Sequence, residues 1–274
     1  MIDLHSHILP GIDDGARSLQ EAVEMCRLAA AEGCTAMVAT PHQRRGVWWN
    51  SDLAQLAALR AQLQQALGST LRVLPGGEIH VDSQLLSEVE QLPEGGGILP
   101  LAGSRYLLIE LDSFGSRRDT TELIHELTVS GWRPILAHPE FIPWLATDFA
   151  LLEELIGLGA TSQVTAMSVT GDFGRPPQQI THTLIDAGLV HFIASDCHGI
   201  RRRPPGLKRA YQTVAAHWGE EAARLFLIDG PRAVIEDRPL ATTSTTSKTA
   251  AAPEETREEA EAAPGLPAAN GVTP

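Results

Sequence analysis

Short runs rich in Val, Ile and Leu recur along this chain, and between most of them lie longer segments with one apolar side. The runs fall at 2–5, 35–39, 72–74, 106–111, 134–137, 161–164 and 190–194. A helix over 19–32 is representative of the intervening segments. Ser18 is placed to cap it, Glu21 stands at the capping-box position, Val23, Cys26, Leu28 and Ala30 supply the apolar side, and Gly33 ends it. Repeated β-then-α order predicts a parallel sheet, because a parallel strand can be reached only by a crossover. With seven or eight such units the natural architecture is a closed α/β barrel, and an open doubly wound sheet is the alternative. No Gly-x-Gly-x-x-Gly follows a strand, which counts against a dinucleotide site.

The chain has 274 residues, a length that suits one large domain or two small ones, and 43% of them are hydrophobic, enough for a sizeable core. Its composition shifts near Leu240. From Ala241 to Pro274 there is no aromatic residue, Ile, Met or Cys, so a disordered Ala/Thr/Glu/Pro-rich tail is expected after a folded domain at 1–240. Lys+Arg number 21 against Asp+Glu 34, a net charge of −13. Such a balance argues against nucleic acid or an anionic membrane as partner, and an anionic substrate must be captured locally. No apolar stretch is long enough to span a bilayer, so direct membrane insertion is not expected. Cys26, Cys34 and Cys197 are widely spaced and the start lacks a leader pattern, which together predict a reduced, cytoplasmic protein.

Polar residues stand where the apolar runs end. His5 and His7 are two apart, so on a strand they point to one face and can reach one ion together, and Asp14 returns from the loop that follows. His42 is expected after the second strand and Glu78 after the third; Glu110 closes the fourth. His138 follows the fifth, and Asp196 with His198 the seventh. In an α/β barrel these C-terminal ends converge on one mouth. Nine imidazole and carboxylate candidates are too many for one ion, and two or three divalent ions fit.

In order, His5-x-His7, Asp14, Thr40-Pro41-His42, Gly77-Glu78-Ile79, Glu110, Ala137-His138-Pro139-Glu140 and Ser195-Asp196-x-His198 resemble the polymerase-and-histidinol-phosphatase (PHP) superfamily. The run from His5 to Gly15, with Arg105 to Glu110, Gly171-Asp172-Phe173-Gly174 and Arg203-Pro204-Pro205, is similar to the bacterial manganese-dependent protein-tyrosine phosphatases of capsule and exopolysaccharide loci. This resemblance, covering residues 1 to about 238, implies a distorted (β/α)7 TIM-like barrel with a trinuclear metal centre at the C-terminal strand ends. The ligands it implies are His5, His7, Asp14, His42, Glu78, Glu110, His138, Asp196 and His198. The ion it implies is Mn²⁺, although such donors also accept Fe, Zn or Mg. Clustered cations can hold a phosphate monoester, neutralise charge in the transition state and activate a water for in-line attack.

Asp14 and Arg203 are expected to act in catalysis, with Arg203 also binding the phosphate. Arg44 and Arg45, followed by Val47, Trp48 and Trp49, are further substrate-binding candidates, with an exposed loop or an oligomer contact as the other reading. One position departs from the pattern: after His138-Pro139-Glu140 the tyrosine phosphatases typically carry arginine, and here Phe141 stands. Glu140 is a candidate to orient His138 or a neighbour, and His80 to stand behind the ligands. His125, His182, His191 and His217 are expected outside the site. Cys197 and Arg203 also match Cys-x5-Arg, but Pro204 and Pro205 lack N–H donors and Asp196 opposes a thiolate, so a cysteine mechanism is not expected.

The expected substrate is a phosphotyrosine protein, in particular a membrane-associated bacterial tyrosine kinase that controls polysaccharide export. The alternatives are a small-molecule phosphatase, such as one for histidinol phosphate, and a metal-binding regulatory protein with little catalysis. Oligomeric state is left open.

Overall fold

The computed structural model describes residues 1–92, 96–112 and 116–240, and the expected tail from Ala241 onward lies outside them. All the described strand pairs are parallel: β1 (Ile2–Ser6), β2 (Ala36–Ala39), β3 (His42–Gln43), β4 (Arg72–Pro75), β5 (Glu78–His80), β6 (Tyr106–Glu110), β7 (Arg133–Ala137), β8 (Thr161–Thr165) and β9 (Phe192–Ala194). Hydrogen bonding sorts them into two sheets, ordered β1-β2-β4 and β3-β5-β6-β7-β8-β9. The sheets are continuous in sequence, because Thr40-Pro41 joins β2 to β3 and Gly76-Gly77 joins β4 to β5. The far strand also returns to the first: Asp196 N–H donates to His5 O at 2.9 Å and His7 N–H to Cys197 O at 3.0 Å.

The fold is thus mixed α/β with parallel sheets, and all seven predicted strands are present. The two-residue β3 and three-residue β5 were not expected. They correct the placement of His42 and Glu78, which lie on strands of their own rather than in loops. Pro41 has no N–H to give, and Gly76 and Gly77 weaken a strand, so an apolar-run reading stops one turn of chain too early.

Parallel strands are buried on both faces, and alternate residues divide accordingly. Leu4, Val38, Tyr106, Leu108, Ile135 and Phe192 meet in one apolar cluster. Met37, Leu107, Ile109, Leu136, Val164 and Ile193 join the helix residues in a larger one. The helix at Leu19–Ala31 begins as predicted, with Ser18 accepting from Glu21 N–H at 3.2 Å. Glu21 reaches back one residue further than a capping box requires, accepting from Arg17 N–H at 3.1 Å.

Candidate metal centre

The nine predicted ligands come together. Their side-chain donor atoms fall into overlapping groups within each of which every atom lies within 4.8 Å of the others. His7, Asp14, His42 and His198 form one group; His5, His7 and Asp196 another; His5, Glu78 and His138 a third; His42, Glu78 and Glu110 a fourth.

The hydrogen bonds behind the histidines fix which nitrogen faces inward. Gln163, on β8, donates its Nε2 to Val164 O at 2.9 Å, so its Oε1 is the end that meets His5 Nδ1 at 2.8 Å. His5 therefore carries its proton on Nδ1. Asp13 does the same for His7, accepting from its Nδ1 at 2.8 Å. In the neutral rings the two Nε2 lone pairs then face each other at 3.2 Å. Two lone pairs at that separation repel, and a cation shared between them removes the conflict. Glu78 Oε1 lies 3.3 Å and Asp196 Oδ1 3.4 Å from His5 Nε2. Buried Glu78 Oε2 sits 2.7 Å from His42 Nδ1 without hydrogen-bonding alignment. These residues fit a divalent-cation centre.

The electrostatics agree. Burial opposes ionisation of Glu78, but His5, His138 and His42 hold its carboxyl well below the usual range. Asp196 is likewise buried and held down by His5, His7 and Arg203. Burial works against an imidazolium at His138, yet Glu78 at 2.8 Å pushes it up to about 9. His7 rises well above its ordinary value against the same cost of burial, through Asp13, Asp196 and Glu78. A pocket that draws protons onto its imidazoles draws divalent cations in competition with them.

Backbone strain marks two of the predicted ligands. His138 (φ 35°) and Asp196 (φ 51°) sit in the left-handed region directly or nearly after β7 and β9, a conformation that costs free energy and is held by the surrounding structure. Gly15 lets the Asp13–Asp14 loop close on His7: a Cβ there would lie 2.1 Å from His7 O.

A cavity of about 360 Å³ opens over the cluster, lined by ligands, by Arg45 and Arg203, and by Leu111, Phe141, Ile142 and Phe173. Arg203 donates Nη2 to Asp196 Oδ2. Arg45 Nη1 lies 3.0 Å from Glu110 Oε1. The expectation for Arg44 is corrected: its buried guanidinium is engaged by Asp82 at 2.7 Å and Glu88 at 3.1 Å and does not line the cavity. Arg44 has φ +63°, which breaks the strand alternation and turns it from the mouth. Arg201 and Arg202 are exposed and also absent from the lining.

His80 stands behind Glu110, with Nδ1 3.4 Å from Oε2. Glu140 accepts instead from Thr165 N–H and Oγ, both at 2.8 Å, and no hydrogen bond joins it to His138. His125, His182, His191 and His217 lie outside the ligand groups among the described residues. Cys197 is fully buried and burial pushes its thiol well above the ordinary value, the opposite of a nucleophile's requirement. Asp13 and Gln163 were missed in the sequence. Their signal was chemical: each metal-binding imidazole needs an acceptor for its other N–H.

Fold and site together define a class, an α/β protein with a cluster of candidate metal-binding His, Asp and Glu side chains at the C-terminal ends of parallel strands. The chain belongs to the CpsB/CapC family of capsular polysaccharide synthesis, whose family model matches residues 1–236. It is 36% identical over 224 residues to the tyrosine-protein phosphatase YwqE of Bacillus subtilis (strain 168), covering 81% of this chain and 86% of that one. It is 28% identical over 245 residues to the tyrosine-protein phosphatase CpsB of Streptococcus pneumoniae, covering 87% and 99%. A crystal structure from work on YwqE and CpsB, described as metal-dependent tyrosine phosphatases, superposes with TM-score 0.82 at 31% identity, covering 88% of this chain and 96% of the other.

Proposed function

We propose that this chain is a metal-dependent phosphatase that hydrolyses phosphotyrosine in proteins, its substrate being a bacterial tyrosine kinase that regulates capsule or exopolysaccharide synthesis. The observation that carries the reading is the pair of inward Nε2 atoms of His5 and His7, 3.2 Å apart and ringed by carboxylates. The supporting comparison is with YwqE and CpsB, which bear the name tyrosine-protein phosphatase. Bound divalent cations would supply Lewis acidity toward the phosphate and an activated water, and Mn²⁺ is our proposed ion.

The proposed ligands are His5, His7, Asp14, His42, Glu78, Glu110, His138, Asp196 and His198. Asp14, half-exposed at the mouth, is a ligand that also orients the attacking water by accepting its hydrogen bond. Arg203 binds the phosphate oxygens, and Arg45 approaches them from the Glu110 side. Phosphotyrosine suits this site, because a phenol with pKa near ~10 departs more readily than an alcohol. In fold terms we read β2 with β3, and β4 with β5, as two bent strands, giving a distorted seven-stranded barrel in which the β9–β1 bonds make the closure.

The test is hydrolysis of a phosphotyrosine peptide by chelator-stripped protein before and after adding Mn²⁺, Fe²⁺, Zn²⁺ or Mg²⁺, with metals counted in the same samples. Activity should be absent when stripped and return as two or three ions bind per chain. Asp196→Ala should lose metal and activity together, while Cys197→Ser keeps both. Metal binding without turnover of the peptide would move a small-molecule phosphate ester to the front.

A further inference from the structure

The cavity over the metal cluster has two unlike sides. One is ionic, made of ligands with Arg45 and Arg203; the other is apolar, made of Leu111, Phe141, Ile142 and Phe173. A phosphate group has no use for the second side, whereas the organic part of its ester does.

The two phenyl rings are set there with definite geometry. Phe141 is 38% exposed, high for a large apolar side chain, and it faces the cavity rather than the core. Phe173 meets it edge to face, with ring centroids 5.4 Å apart and planes at 84°. Each ring is tied to the ionic side. The Phe141 ring lies 6.2 Å from that of His138, and its N–H donates to His138 O at 2.9 Å in the tight turn Pro139–Phe141 that follows the ligand. The Arg203 guanidinium carbon stands 5.8 Å from the centre of the Phe173 ring. A phosphate held by Arg203 would therefore carry its ester group toward the two phenyl rings.

We propose that Phe141 and Phe173 form the subsite for the aromatic ring of the substrate and make the enzyme select aryl over alkyl phosphate esters. The inference rests on the phosphatase reading above and goes beyond it by assigning the preference for tyrosine to two side chains that are not among the proposed ligands. Aromatic pairs gain stabilisation beyond area burial when edge or offset geometry is available, and a phosphotyrosine ring entering this corner completes a three-ring cluster. A seryl ester offers only a methylene to the same wall. Arginine at position 141, which the family resemblance implies, would contact the phosphate of either ester and would not distinguish them.

The experiment uses the full chain loaded with Mn²⁺ and one peptide sequence phosphorylated on either tyrosine or serine. Wild type is scored first, for kcat/KM on each. The expected result is a preference for phosphotyrosine that falls about tenfold in Phe141→Ala, carried mainly by KM. Phe141→Trp should restore it, and Phe173→Leu should lower it in the same sense. Because Phe141 is partly exposed, its truncation leaves no core cavity, and equal metal content and melting temperature verify the fold. Wild type showing no preference, or Phe141→Ala lowering both esters equally or neither, overturns the inference while the phosphatase reading stands. Wild type hydrolysing neither ester overturns that reading and the inference with it.

Discussion

The two ends of the same parallel strands are both polar, and they handle polarity in opposite ways. At the starts of β6 and β7, Arg105 and Arg133 converge on Asp237: Arg105 N–H and Nε each donate to it at 3.0 Å, and Arg133 Nη1 at 3.2 Å. Tyr106 O–H donates to Arg238 O at 2.8 Å. Donors there have acceptors and charges have partners. At the C-terminal ends, the inward Nε2 atoms of His5 and His7 lie 3.2 Å apart, Glu78 Oε2 is buried without an aligned donor, and two predicted ligands sit at strained backbone angles. The difference separates structure from function. The satisfied end secures the strands against the helix Gly230–Ile235 and the chain that follows it, whereas the frustrated end carries the predicted ligands.

The comparison breaks most sharply at Gln163. It belongs to the frustrated end, and its side chain hydrogen-bonds His5 Nδ1 and the Val164 carbonyl. Gln163→Leu removes the acceptor that keeps the His5 proton on Nδ1, so the ring can move it to Nε2 and lose the inward lone pair. The expected effect is a ~10–100-fold fall in metal affinity by titration calorimetry, with the unfolding midpoint of the stripped protein little changed. Gln163→Glu, which retains an acceptor, should recover most of it. A variant that unfolds easily but binds metal normally would place Gln163 with the structural end instead.

How much of this was readable in the chain follows the same division. The strands and the ligands at their ends were legible because apolar runs stop where imidazole or carboxylate begins, and nothing in a core accounts for so many. Arg44 and Arg45 were not separable, because the positive φ at Arg44 that turns it away from the mouth leaves no trace in residue type. Asp13 was passed over beside Asp14, since sequence cannot tell a ligand from the acceptor behind one. Gln163 was the recoverable omission, a long amide in a buried strand of an α/β fold.

At the satisfied end the expected effect is smaller and of the other kind. Asp237→Ala removes the acceptor of three donors, but the group is partly exposed, so screening limits the loss to about 1 kcal/mol of unfolding free energy in urea. The turnover number of the folded, metal-loaded variant should match wild type within about twofold, since no cavity-lining residue touches Asp237. Loss of activity without loss of stability would mean that the two ends are coupled through the strands, and the contrast drawn between them would fail.

The smallest effect expected is at His191, just before β9, where burial depresses the imidazole to about 4. Its Nδ1 accepts from Ser162 N–H at 3.2 Å, a bond available only to the neutral ring. The unfolded chain takes up the proton near its ordinary ~6.5, and the folded chain resists until about 4. The unfolded state thus binds more protons in between, so stability is full above ~6.5 and declines as pH falls toward 4. Histidines among the proposed ligands, shifted in the folded chain, also change protonation on unfolding, so wild type alone cannot isolate the effect. The difference in urea midpoint between wild type and His191→Asn, measured in stripped protein at pH 7.5 and pH 5, cancels their contribution. Wild type should lose ground to the variant on acidification; a difference that does not move with pH would show that the proton is accommodated at this end, and that its polar groups are less completely matched than their hydrogen bonds imply.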